Sequence, residues 1–317
     1  MFLRSRFVTG RSLLIAAFCM LLISAAHGQR PAGSSFRTVT VSTLPGATVF
    51  IDGVRYGKAN DAGSLEITTI SPGAHTLKVR APGYKDRSQP LTATQRGEVK
   101  VVLVKTEDEA ELAFQEAERL TGVDRTQAAE AYRKAIKARP NYPDAYLALA
   151  RVLLDSGDPE EALRALVASR RLKPGNAEAS AVEGRIHKEN GEESKAIAAY
   201  KRAISEGKGF QPEAYTGLGI LYKEKAEGFG GTGDFANETL NYDEATKNLK
   251  IALKQLSGAP DTIVIYQLLG LIYERQNKYS DAISTYEEFL RIFPNSTEAT
   301  AVRSFIVQLK KDMADKQ

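Results

Sequence analysis

Apolar and polar residues alternate along residues 37–105, and from about residue 108 the pattern changes to a helical spacing that repeats every 34 residues. The alternation is plain in Thr38-Val39-Thr40-Val41-Ser42, Thr48-Val49-Phe50-Ile51-Asp52, Leu65-Glu66-Ile67 and Thr76-Leu77-Lys78-Val79. Val99 to Val104 is a last, more apolar run. Period-two segments of this length, broken by turn residues, predict a small antiparallel β-sandwich. Pro45-Gly46, Pro72-Gly73 and Pro82-Gly83 each set proline where φ is fixed and glycine where φ is positive, as a type II turn requires. Asp52-Gly53 and Arg96-Gly97 are tight-turn candidates.

Beyond residue 108, Ala128, Ala162 and Ala196 stand 34 residues apart. Tyr132, Leu166 and Tyr200 keep the same interval, as do Ala135, Ser169 and Ala203. Pro140 and Pro174 close two units. Small residues in register let helix backbones approach, and proline ends the second helix of a pair. The spacing predicts five helix pairs: Glu109 to Pro140, Pro143 to Pro174, Ala177 to Lys208, Pro212 to Gly258, and a fifth holding Tyr266, Gly270, Ala282 and Pro294. Asn295-Ser296-Thr297-Glu298 offers a cap for a closing helix through Ala301 to Leu309. One pair cannot bury its own apolar face, so stacked pairs make a continuous core, a solenoid. The fourth pair carries 14 residues more than the period allows. This glycine-rich insertion, near 226–241, predicts a loop between its two helices, with a short helix near its end.

Two resemblances follow from these residues. Leu44-Pro45-Gly46-Ala47, Val49-Phe50-Ile51-Asp52-Gly53, Gly57, the run Pro72 to Val79 and Gly83-Tyr84 resemble the PEGA domain. That resemblance implies an extracytoplasmic β-sandwich of bacterial or archaeal envelope proteins, an accessory or surface-attachment module without catalytic residues. Here the turn is Pro-Gly-Ala, without the family's glutamate. Residues 108–313 resemble the tetratricopeptide repeat (TPR), with tyrosine where that family often has tryptophan. The fold class expected is therefore multidomain, a β-sandwich over 37–105 followed by an all-α solenoid.

Residues 1–28 change the charge balance. Arg4, Arg6 and Arg11 precede the apolar run Leu13 to Ala25, and Ala26-His27-Gly28 supplies the small residues that a signal peptidase reads. Cleavage is expected before Gln29; an uncleaved N-terminal anchor is the alternative. The net charge of +4 drops to near zero without this segment, since 40 basic residues then face 39 acidic ones. This argues against nucleic acid as a partner. Cys19, the only cysteine, leaves too. The processed chain then has no disulfide, no thiol nucleophile and no thiolate metal ligand. A periplasmic or otherwise extracytoplasmic location is expected, with membrane contact only through an uncleaved segment.

The first helix of each pair lines the inner face in the TPR fold. By spacing, its inward positions include Arg151, Arg185, Lys188 and Lys223, then Ile220, Val264 and Leu271. Arg151 and Arg185 lie one repeat apart, and a guanidinium fork suits carboxylates. One reading is a groove for an acidic or C-terminal peptide stretch at one end and an apolar one at the other. The other is a solvated helix face with intrahelical ion pairs, Asp144, Glu178 and Glu213 being near enough to neutralise the cations. Leu147, Ala181 and Thr216 stand where the clamp by which some relatives hold chaperone tails would need polar groups. Phe229 and Phe235 in the insertion are candidate contact residues. The insertion lacks the Gly-Lys-Ser/Thr ending of a nucleotide loop. His75 and His187 lie in different modules without metal-ligand spacing. No nucleophile elbow is present. No catalytic, cofactor or metal site is expected. The function expected is an exported scaffold that docks a protein or peptide partner in the cell envelope. The alternative is structural attachment, with the β module gripping cell-surface glycan and the repeats serving as spacer or self-association surface.

Overall fold

A computed structural model describes residues 36–315 of the 317. The segment read as an export signal lies outside the described residues. Among the described residues seven strands precede eleven helices. The strands are β1 (Arg37–Ser42), β2 (Thr48–Ile51), β3 (Val54–Lys58), β4 (Ser64–Ile70), β5 (His75–Arg80), β6 (Arg87–Leu91) and β7 (Gly97–Lys100). They form two sheets, ordered β4-β1-β7 and β3-β2-β5-β6. All pairings are antiparallel except β1 with β7, which run parallel. The sandwich is thus antiparallel with one parallel pair.

The alternating positions do what period two demands. Val39, Val41, Val49, Ile51, Leu77 and Val79 are buried between the sheets, while their polar neighbours stand outside. Gly46, Gly73 and Gly83 all have positive φ, as the three Pro-Gly turns require. β3 and β6 escaped the sequence pattern because they are the two edges of their sheet, where apolar alternation relaxes and Pro90 is tolerated. The apolar run from Val99 leaves the sheet after Lys100. Val101 and Leu103 stay buried, and Val102 and Val104 are 67% and 65% exposed.

The helices pair as the 34-residue interval predicts. They are α1 (Glu109–Thr121) with α2 (Arg125–Ala138), α3 (Pro143–Asp155) with α4 (Pro159–Leu172), and α5 (Ala177–Glu189) with α6 (Glu193–Glu206). Then come α7 (Pro212–Gly231) with α8 (Phe235–Leu256), α9 (Thr262–Arg275) with α10 (Tyr279–Ile292), and a closing α11 (Ala299–Ala314). Asp108, Asp124, Asp158 and Asp234 cap four of them by accepting first-turn backbone N–H groups. Ahead of α11 the chain runs differently from its expected cap: Glu298 is the N-cap residue and makes no side-chain capping bond.

The recurrent alanines Ala128, Ala162, Ala196, Ala245 and Ala282 have no exposed surface. The recurrent glycines meet large side chains at the same interfaces. A Cβ on Gly184 would lie 2.6 Å from the Tyr200 ring, one on Gly219 2.5 Å from Leu249, and one on Gly270 2.2 Å from the Tyr286 ring. Gly270→Ala is therefore expected to lower stability by about 1–3 kcal/mol, through overpacking that exceeds the helix-propensity gain. Gly228 also lies inside a helix but has open space at its Cβ position. Gly228→Ala is expected to raise stability by about 0.5–1 kcal/mol. Thermal melts of the two variants should move in opposite directions.

The insertion is not the loop that its glycines predict. Its residues lengthen both helices of the fourth pair, α7 to 20 residues and α8 to 22, where the other pairs have 13 or 14. The connection shrinks to Thr232-Gly233-Asp234, and only Gly233 in it has positive φ. The reason lies between the helices. Ala226 of α7 lies in one buried cluster with Tyr242, Ala245 and Leu249 of α8, which holds the two helices together. Gly228 and Gly231, by contrast, have open space at their Cβ positions, and Gly230 meets only the flexible end of Glu238. That packing outweighs a helix penalty of about 1 kcal/mol per glycine. Phe229 consequently sits half-buried within α7, and Phe235 opens α8 with 69% of its surface exposed. Neither lies on a loop.

Candidate functional site

The inner helices α3, α5, α7 and α9 face a cavity of about 1040 Å³. Its other wall comes from the β module: the turn Asp52-Gly53 and the first residues of β3, Val54 and Arg55. Asp52 and Gly53 both have positive φ, which makes the β2–β3 connection a tight two-residue turn with its tip in the groove. His75 holds that turn in place. Its Nδ1 lies 2.5 Å from Asp52 Oδ2, while Asp52 Oδ1 accepts the Thr76 backbone N–H at 2.7 Å.

Ser71, His75 and Asp52 superficially have the order of a hydrolytic relay. His75 Nε2 is 3.3 Å from Ser71 Oγ but 3.0 Å from the Ser71 carbonyl oxygen. The trio ties the β2–β3 turn to the start of β5. His187 likewise bonds Glu192 at 2.6 Å, inside the helical module.

Five of the seven groove residues proposed from spacing line this cavity: Arg151, Arg185, Lys188, Ile220 and Val264. Lys223 and Leu271 do not. Leu271 is 41% exposed outside it, and Lys223 pairs with Glu227 one turn along α7. The cations are already partnered. Arg151 donates a bidentate fork to Glu213, Nη1 to Oε1 at 2.8 Å and Nη2 to Oε2 at 2.6 Å. Arg185 bonds Glu189 at 2.9 Å and also Asp155. Lys188 reaches Glu224 at 2.8 Å. Of the three acids expected to neutralise these cations, Glu213 does so directly and Glu178 approaches Arg151 at 3.9 Å. Most of the pairs join different repeats, Arg151 to Glu213 joining α3 to α7. Only Arg185 with Glu189 and Lys223 with Glu227 are intrahelical. The guanidinium forks thus brace the solenoid and are not open to an incoming carboxylate.

What remains open is an apolar patch together with the exposed Arg55 and Lys173. Val264 is 50% exposed, and Ile220, Phe210 and Val54 stand around it on the same cavity. Asp261, the N-cap residue of α9, sits on this wall without a capping bond. Sheltering by its neighbours raises its pKa above the ordinary aspartate value, against the opposing pull of Arg55. A folded-state pKa raised in this way means that ionisation weakens the fold. The contribution is fully present below the unfolded pKa and is lost as pH rises through the folded one. Asp261→Asn, neutral throughout, is expected to melt slightly higher than the parent at pH 7 and level with it at pH 3. The gain is small, because the carboxyl still meets solvent.

Comparison with known proteins agrees with this architecture. The PEGA domain model matches residues 36–107, and tetratricopeptide-repeat models match 124–186 and 266–296. The chain thus carries tetratricopeptide repeats with a PEGA domain ahead of them. Among solved structures the TPR solenoid is similar to yeast Tom70, at 16% identity and a TM-score of 0.51 over 65% of this chain and 41% of that one. It is also similar to the MamA protein, at 24% identity, a TM-score of 0.41 and coverage of 62% and 96%. A thermophilic TPR protein of Thermus thermophilus gives 18% identity and a TM-score of 0.47 over 62% and 99%. The likeness to Tom70 is one of fold, and the match spans less than half of that protein. No curated protein matches the chain. Among the described residues no group of three or more His, Cys, Asp and Glu residues could hold a metal ion. No described helix is long and apolar enough to cross a membrane.

Sequence reasoning missed the wall that the PEGA domain contributes. Asp52-Gly53 was legible as a turn, but nothing local places its tip opposite α5, α7 and α9.

Proposed function

We propose that this chain is a non-enzymatic scaffold of the cell envelope, exported by its N-terminal segment, whose TPR groove docks a protein or peptide partner. The observation that carries this reading is the cavity itself. Its lining comes from four successive repeats, and the Arg151, Arg185 and Lys188 charges on it are internally neutralised. Its uncommitted surface holds the apolar residues Ile220 and Val264 together with Arg55 and Lys173. An extended peptide offering apolar side chains suits that surface better than an acidic tail does. The near balance of charge in the processed chain favours neither nucleic acid nor a strongly charged partner.

Photocrosslinking in the native envelope tests the reading. A benzophenone amino acid at Val264 should yield a discrete protein adduct, and the same group at the exposed Val123, on the α1–α2 turn, should yield none. Adducts from Val102 of the PEGA domain with none from Val264 would instead favour attachment through the β module and end the groove proposal.

A further inference from the structure

The PEGA domain touches the solenoid at two places far apart in the chain. At α1 the contact is dense. Gln115 accepts from the Gly83 backbone N–H at 2.8 Å and donates to the Tyr84 carbonyl at 2.7 Å. Arg80 pairs with Glu118 and stacks over the Phe114 ring at 5.2 Å. Thr106 and the Asp86 backbone N–H both bond Glu111. The chain itself is continuous here, passing from the last bridge at Lys105 into α1 within a few residues.

At the α8–α9 corner the contact is sparse. The Tyr56 hydroxyl is 3.1 Å from the Leu256 carbonyl and 3.4 Å from that of Ser257. Thr69 Oγ1 lies 3.5 Å from the Gly258 carbonyl. Val54 packs against the apolar cluster of α8 to α11. Ser257 and Gly258 both have positive φ, so the corner bends toward the β module. The approach is close enough that a Cβ on Gly258 would sit 2.8 Å from Thr69 Cβ. Between these two contacts lies the cavity, which the Asp52–Arg55 turn walls on one side.

We infer that the PEGA domain is a lid over the TPR groove, hinged at α1 and latched at Leu256–Gly258, and that release of the latch opens the groove to its partner. The asymmetry of the two contacts decides which end moves. The hinge has charge-assisted and side-chain–backbone bonds together with chain continuity. The latch has three long hydroxyl-to-carbonyl contacts, one apolar residue and the attraction of Arg55 for Asp261 without a direct ion pair. Hydroxyl hydrogen bonds of this kind each shift an equilibrium by a few-fold to about tenfold. For its functional meaning the lid rests on the groove reading, but its motion can be measured without any partner.

The test uses the full chain carrying Cys19→Ser, with spin labels at Asp61→Cys and Gln267→Cys. Both positions are exposed, one on the PEGA domain and one on α9. Pulsed dipolar spectroscopy of this parent should give one narrow distance. Gly258→Asn inserts a wedge, since asparagine tolerates positive φ while its Cβ collides with Thr69. It should convert most molecules to a longer, broader distance. Tyr56→Phe with Thr69→Val removes the hydroxyl contacts and keeps the ring and the shape of the branched side chain at Gly258. It should raise the ratio of long to short distances on the order of tenfold. Circular dichroism melts confirm that each variant is folded. Unchanged distances in folded samples of both latch variants would overturn the lid and make the β module a fixed brace, whatever crosslinks at Val264. A lengthened distance without a gain in Val264 adducts would uphold the lid and count against the groove reading alone.

Discussion

Tyr200→Ala is expected to lower the stability of the solenoid by about 3–5 kcal/mol, the largest effect of any single change considered. The ring is 2% exposed. It fits between two glycines from successive repeats: a Cβ on Gly184 would lie 2.6 Å from it and a Cβ on Gly217 2.3 Å. Gly184 belongs to α5 and Gly217 to α7, so one side chain on α6 fills the seam on both sides of its own pair. Alanine leaves a void that backbones already in close approach cannot collapse into. Tyr200 also borders the groove, so the loss should spread to the cavity wall. Denaturant melts followed by circular dichroism measure the cost. A loss below 1 kcal/mol would mean that the seam repacks, and the tight-glycine account of the repeat interface would fail.

Glu213→Ala is expected to cost about 1.5–3 kcal/mol. It leaves the Arg151 guanidinium with Glu178 at 3.9 Å in place of a bidentate carboxylate. Both side chains keep about a third of their surface exposed, which holds the effect below that of a fully buried pair. The Arg151→Ala variant removes the same interaction from the other side, and the double variant should cost less than the sum of the two single ones. Additive losses would show that the pair contributes no coupling between α3 and α7. The ion pair then could not be what keeps the guanidinium from an incoming carboxylate, and the acidic-peptide reading of the groove would regain its footing.

Most of the groove was legible residue by residue, and its chemistry was not. The 34-residue register places Arg151, Arg185, Lys188, Ile220 and Val264 on inward helix faces, and these line the cavity. Their charge state depends on carboxylates from other repeats. Asp155, Glu213 and Glu224 reach them only once the helices stack. Lys223 and Leu271 share the helical phase of that face, but the cavity does not extend to them. In the insertion, local propensity argued for a loop at Gly228-Phe229-Gly230-Gly231. Packing of α7 on α8 through Ala226, Tyr242 and Ala245 overrode it, although each glycine there is costly in a helix.

The sequence by itself determined what depends on neighbours along the chain. Period-two strands and Pro-Gly turns are local signals enforced by backbone geometry within a few residues, and the spacing of small residues repeats along the chain. Only the tertiary structure decided that the PEGA domain folds back onto the repeats that follow it. Tyr56 meets Leu256 across 200 residues, and the Asp52–Arg55 turn closes a cavity whose other walls come from six different helices. Contacts of that range arise from complementary surfaces formed after each module has folded, so no window of sequence carries their signature.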